Sequence, residues 1–163
     1  MDLEEIRDIY RPDKIKILFV GESPPASGKF FYKGGAMTAF TLHAFVRAYD
    51  CSFPNQKEFL AAFKSFGCFL DDLSHSPVNC LKGKAREQVL QDNIDLLADR
   101  IRKAEPEVVI AVFRKIRDYV SQAVKKSGIQ AAVHVVCSPG NGHQNKYIEE
   151  LSEILRKHLA IKT

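Results

Sequence analysis

Three short segments hold the side chains best suited to chemistry. The first is Gly21-Glu22-Ser23-Pro24-Pro25, which follows an apolar run at residues 15–20 and leads into Phe30, Phe31 and Tyr32. A glutamate partly withdrawn from water has a raised pKa and can take a proton near neutrality. A serine can orient a water but is a poor base, because its pKa lies far from neutrality. The second segment is Asp71-Asp72, closing another apolar run, with Asn79 further along the loop. An ionised carboxylate accepts hydrogen bonds and donates none, whereas an amide does both. The third is Ser138-Pro139-Gly140-Asn141-Gly142-His143. Gly140 and Gly142 permit positive φ, and Asn141 is a turn former. Ser138 and Asn141 can each bond a phosphate oxygen, a contact that fixes position without reading sequence. His143 can reach inwards or meet a phosphate.

Other site classes fit poorly. Gly28-Lys29 stands before a helix pattern, as in a phosphate loop. Residues 22–27 separate Gly21 from Gly28 where four residues are required, and Phe30 stands where Ser or Thr should hold magnesium. Pro24 and Pro25 also remove backbone donors that a phosphate cradle would use. No G-x-G-x-x-G occurs. Cys51, Cys68, Cys80 and Cys137 are widely spaced and form no C-x-x-C, so neither zinc nor an iron–sulfur cluster is expected. Metals and other cofactors are absent from the expected site.

The elements that must hold these segments alternate. Helices are predicted over 3–10, 36–49, 56–66 (with Asn55 as N-cap), 85–104, 114–126 (stopped by Gly128) and 146–160. Compact apolar runs at 15–20, 68–73, 107–113 and 131–137 read as strands buried on both faces. Leu90, Ile94, Leu97, Ile101 and Ala104 give the 85–104 segment a continuous core stripe. Strands alternating with helices argue for a parallel sheet covered on both sides. In such sheets ligands bind beyond the carboxyl ends of the strands, and all three segments follow strands.

The chain has 163 residues, enough for one domain spanning 1–163. It is 45% hydrophobic and 27% charged, as soluble globular proteins are. The net charge of +4 permits a polyanionic partner without requiring one. The groups Lys82, Lys84, Arg86 and Arg114, Lys115, Arg117 are placed to neutralise phosphates. No apolar run approaches the ~20 residues of a membrane span, and the first residues are acidic with no apolar signal core. A cytoplasmic protein with no membrane partner is expected.

The Gly-Glu-Ser-Pro-Pro turn resembles motif A of the uracil-DNA glycosylase superfamily, close to its Gly-Glu-Ala-Pro-Gly form. Ser138-Pro139-Gly140-Asn141 stands where that family has motif B, and Ala104-Glu105-Pro106-Glu107-Val108-Val109-Ile110-Ala111 is similar to its junction into the third strand. The resemblance covers residues 15–147. It implies a three-layer α/β/α sandwich with a four-stranded parallel sheet in the order 2-1-3-4. It implies a monomeric partner of DNA that rotates a deaminated or damaged base, of uracil or hypoxanthine type, into a pocket and hydrolyses its N-glycosidic bond without a metal. Glu22 or Ser23 would position the water. Phe31 or Tyr32 would stack on the base, with Tyr32 the better match. Asp71, Asp72 or Asn79 would read its edge, and Gly21, Pro24, Pro25, Ser138, Gly140 and Asn141 would hold substrate. The family's Asp or Asn of motif A is Ser23 here, and its motif B His falls near Val136 or Cys137. These departures leave His143 as a substitute, and leave open a weak or inactive member that only binds a base or nucleic acid. A flavodoxin-like binder of a small metabolite is the reading from another class. Each candidate also has a structural role open to it: Phe31 and Tyr32 as core, Glu22 and the aspartates as braces, His143 as an exposed loop residue.

Overall fold

Four short strands form one parallel sheet: β1 (Ile17–Gly21), β2 (Cys68–Asp72), β3 (Val108–Ala111) and β4 (Ala132–Val135), ordered β2-β1-β3-β4. The computed structural model describes residues 1–161. The helices are α1 (Leu3–Ile9), α2 (Ala36–Tyr49), α3 (Gln56–Ser65), α4 (Gly83–Asp92), α5 (Ile94–Ala104), α6 (Arg117–Ser127) and α7 (Gln144–His158). This is the expected three-layer α/β/α arrangement.

Every residue of β1, β2 and β3 is buried, which is why these runs carry no polar alternation until β2 reaches its aspartates. On one side Phe19 meets Phe63 of α3 at 5.2 Å, and Phe45 of α2 packs edge-on to Phe59. There α2 also packs along α7, where the Thr41 and Tyr147 hydroxyls share a buried 2.8 Å hydrogen bond. On the other side α5 packs against α6 through Leu97, Ile101, Val120 and Val124.

Local signals account for most boundaries. Asn55 Oδ1 accepts from the Glu58 N–H and starts α3. Gly128 adopts φ 75° and ends α6, a conformation that favours glycine. The expected single helix over 85–104 is two helices, α4 and α5. The Asn93 side chain donates to the Val89 carbonyl, and its own N–H turns to Leu90 instead. A side chain that competes for a helix carbonyl breaks the ladder there. The 114–126 segment likewise begins with a 3₁₀ turn at Arg114–Ile116. The strand expected over 131–137 is not buried on both faces: Ala132 and Val133 are exposed on the edge strand β4, whereas the opposite edge, β2, is fully buried and packs against α3. Among the described residues no helix is long and apolar enough to cross a membrane.

Candidate functional site

All four strands run the same way, so the segments that follow them emerge at one edge of the sheet. Gly21 lies beside Asp72 in the register of β1 and β2. Pairing continues past the strands, with the Leu73 and Ser74 N–H groups donating to the Gly21 and Glu22 carbonyls. A cavity of about 280 Å³ opens there. The turn at 21–25 bounds it, with Lys29, Phe30 and Phe31, Met37, Leu70 and Asp72, Val112 and Phe113, and Ser138 completing the wall. Two turns more than a hundred residues apart in sequence thus enclose one apolar hollow.

The fit of Gly21 against Asp72 is tight. A Cβ on Gly21 would stand 2.6 Å from Asp72 Oδ1. Glycine at this position lets the carboxylate lean over the end of β1. Its other oxygen, Oδ2, accepts from Arg7 Nη2 at 2.6 Å. Arg7 is 1% exposed, and its guanidinium lies 5.0 Å over the ring of Phe30, another wall residue. Arg7 Nη1 also engages Glu4. Its Nε is the one buried polar side-chain atom without a hydrogen bond among the described residues.

The two aspartates part ways. Asp71 accepts from His75 Nε2 and from Arg100 Nε, both at 2.7 Å. Burial alone would raise its pKa, but His75 and Arg100 outweigh that and hold the carboxyl well below the usual range. Asp72 has a single cation in direct contact. Burial, opposed by Arg7 and reinforced by the neighbouring Asp71 charge, pushes its pKa up to about 6. When two carboxylates compete, the proton settles on the one with fewer partners.

The remaining candidates divide sharply. Glu22 lines the cavity, with its carboxylate held by Arg86. Ser23 Oγ accepts from the Val78 N–H at 3.2 Å, which leaves its own proton free to donate. Pro24, Pro25, Phe31 and Ser138 line the wall, and the Phe31 carbonyl is fixed by the Thr38 hydroxyl at 2.6 Å. Tyr32, the preferred stacking residue, does not. Its ring lies between Tyr10 and Phe69, and its hydroxyl exchanges hydrogen bonds with the Leu70 backbone on both N–H and C=O. Tyr32 is a pillar beneath the site, with burial raising its pKa well above the ordinary value. Asp71 is a brace outside the cavity. Asn79 is exposed and accepts from the Ala26 N–H at 3.4 Å, a weak tether of the first loop. Gly140, Asn141 and His143 are exposed and outside the cavity wall. Asn141 takes φ 56°, a turn conformation that asparagine tolerates. His143 caps the start of α7 without a side-chain bond.

Sequence reading missed Arg7, Phe30 and Phe113. Arg7 left a signal: it stands on the apolar stripe of Leu3, Ile6 and Tyr10, where a lone charge is out of place. The two basic groups also meet. Lys82 and Arg86 from the start of α4 face Lys115 and Tyr119 across a second cleft of about 460 Å³, and Glu22 borders both hollows. Among the described residues no group of three or more His, Cys, Asp or Glu side chains is arranged to hold a metal ion. No family model matches the chain, and no curated protein matches its sequence significantly.

Proposed function

We propose that this chain is a uracil-DNA glycosylase-like protein that takes one base of a DNA strand into the cavity and hydrolyses its N-glycosidic bond. One observation carries the reading: the 21–25 turn and Ser138 bound a single, largely apolar hollow, and Glu22 borders both it and a cleft where Lys82, Arg86 and Lys115 stand with Glu22 and Glu87. Apolar walls with a few convergent polar groups suit a planar heterocycle. Lysines and an arginine beside it suit the phosphates of the strand that carries the base.

Phe31 lies against the base, and Asp72 meets its edge. Ser23 donates to a water and Glu22 lies alongside it. Water adds to the anomeric carbon, the bond from that carbon to the base nitrogen breaks, and the electron pair leaves with the base. The water's proton passes to Glu22 and then to the departing base. The ion pair between Glu22 and Arg86 favours a second reading, because it already occupies the carboxylate that would take the water's proton. On that reading the chain holds an extruded base without cleaving it. Single-turnover incubation with oligonucleotides containing uracil, hypoxanthine, xanthine or a mismatch separates the readings. Abasic product cleavable by alkali supports hydrolysis. Salt-sensitive binding without product supports the binder. Neither result leaves a small-metabolite site and overturns the DNA reading.

A further inference from the structure

We infer that the cavity selects its base through an exocyclic amino group donating to Asp72 Oδ1, so that an amino-bearing base is preferred over its oxo counterpart. The inference rests on the base-binding reading above and narrows its substrate class. Asp72 is 5% exposed, yet Oδ1 accepts no hydrogen bond among the described residues. It is not among the buried polar atoms cut off from solvent, which leaves it reachable, and the opening that Asp72 borders is this cavity. The cavity wall thus presents an unpartnered oxygen on its more deeply buried carboxylate, Asp72 having a side chain 7% exposed against 14% for Glu22, whose Oε2 also accepts no hydrogen bond among the described residues.

Arg7, Gly21 and the apolar part of the wall produce that arrangement. Arg7 occupies Oδ2, which fixes the carboxylate plane and leaves only one oxygen free. Gly21 lacks the Cβ that would push Oδ1 out of place. Leu70, Val112, Phe30, Phe31 and Phe113 supply largely apolar surroundings, and Ser23, Lys29 and Ser138 are the donor side chains elsewhere on the wall. An ionised oxygen there accepts an N–H and repels a carbonyl. The imide edge of uracil flanks its one N–H with two carbonyl oxygens. The amino group of cytosine or adenine has no carbonyl adjacent. Hydrogen bonds to charged groups discriminate strongly, because a mismatched partner leaves the buried charge unsatisfied.

The test uses single-stranded oligonucleotides of abasic spacers bearing one base: cytosine, uracil, adenine or hypoxanthine. Fluorescence anisotropy at neutral pH gives the four affinities. The amino member of each pair is expected to bind about 10-fold tighter or more. Asp72→Asn offers a donor as well as an acceptor, and should bring both ratios to about 1 or invert them. Uracil and hypoxanthine binding as tightly as their amino partners in the unmodified protein would overturn the inference while the base-binding reading stood. That comparison needs no variant to fold. Base-bearing strands that bind no better than an all-spacer strand would overturn both.

Discussion

Asp72 is the cavity-lining carboxyl group whose proton affinity the fold raises. Its folded pKa of about 6 lies above the ordinary carboxylate value of 3.8, so the folded chain holds this proton more tightly than the unfolded chain does. Stability from this group is therefore greatest below about pH 4 and declines as pH rises through 6. Relative to Asp72→Asn, the unmodified protein should lose on the order of 2–3 kcal/mol between those limits, because each tenfold difference in proton affinity between the folded and unfolded chain is worth about 1.4 kcal/mol. Urea unfolding of both proteins across that range checks it; parallel curves would show that Asp72 does not titrate there. Asp71 acts in the opposite sense, losing its stabilising contacts with His75 and Arg100 only in strong acid. Gly21→Ala tests the same contact sterically. Its Cβ must displace Asp72 Oδ1, so a loss of about 1–3 kcal/mol is expected. A loss of base binding beyond that of global stability would place the damage in the cavity.

Helix α1 turns from an ordinary amphipathic segment into part of the site because Arg7 reaches Asp72 at the end of the edge strand β2. Removing one partner of a buried ion pair strands the other, at a cost of about 3–5 kcal/mol. Arg7→Met should therefore destabilise strongly, and Arg7→Met combined with Asp72→Asn should recover part of the loss. A double variant as unstable as the sum of the singles would deny the coupling. Between α2 and α7, Thr41→Val leaves the buried Tyr147 hydroxyl without its partner. Thermal unfolding should register about 1–3 kcal/mol. The break between α4 and α5 shows how a single polar side chain, Asn93, interrupts an apolar stripe that otherwise reads as one helix.

The whole molecule carries only a small positive excess, and its distribution matters more than its sum. Lys82 and Lys115 come from different elements and face one cleft. If the chain binds DNA as proposed, replacing both by Gln should flatten the dependence of log affinity for single-stranded DNA on log salt by about 0.7 for each lost phosphate contact. Titrations across a range of salt concentrations read this directly, and an unchanged slope would remove the cleft from the binding path.

Much of this architecture was legible in the sequence. Buried apolar runs, the Asn55 cap, the Gly128 stop and the turns after each strand are local properties, fixed by residues near one another in the chain. They determined an α/β protein and the segments that would line its working edge. Local pattern did not determine which side of a residue faces the cavity. Phe31 and Tyr32 are adjacent and chemically alike, yet only Phe31 lines it, because Tyr32 has its hydroxyl captured by Leu70 and its ring by Tyr10 and Phe69. Asp71 and Asp72 are likewise neighbours, and partners from α1, α5 and the loop after β2 separate their roles. Orientation and protonation depend on contacts between residues far apart in sequence, and these exist only once the chain has folded.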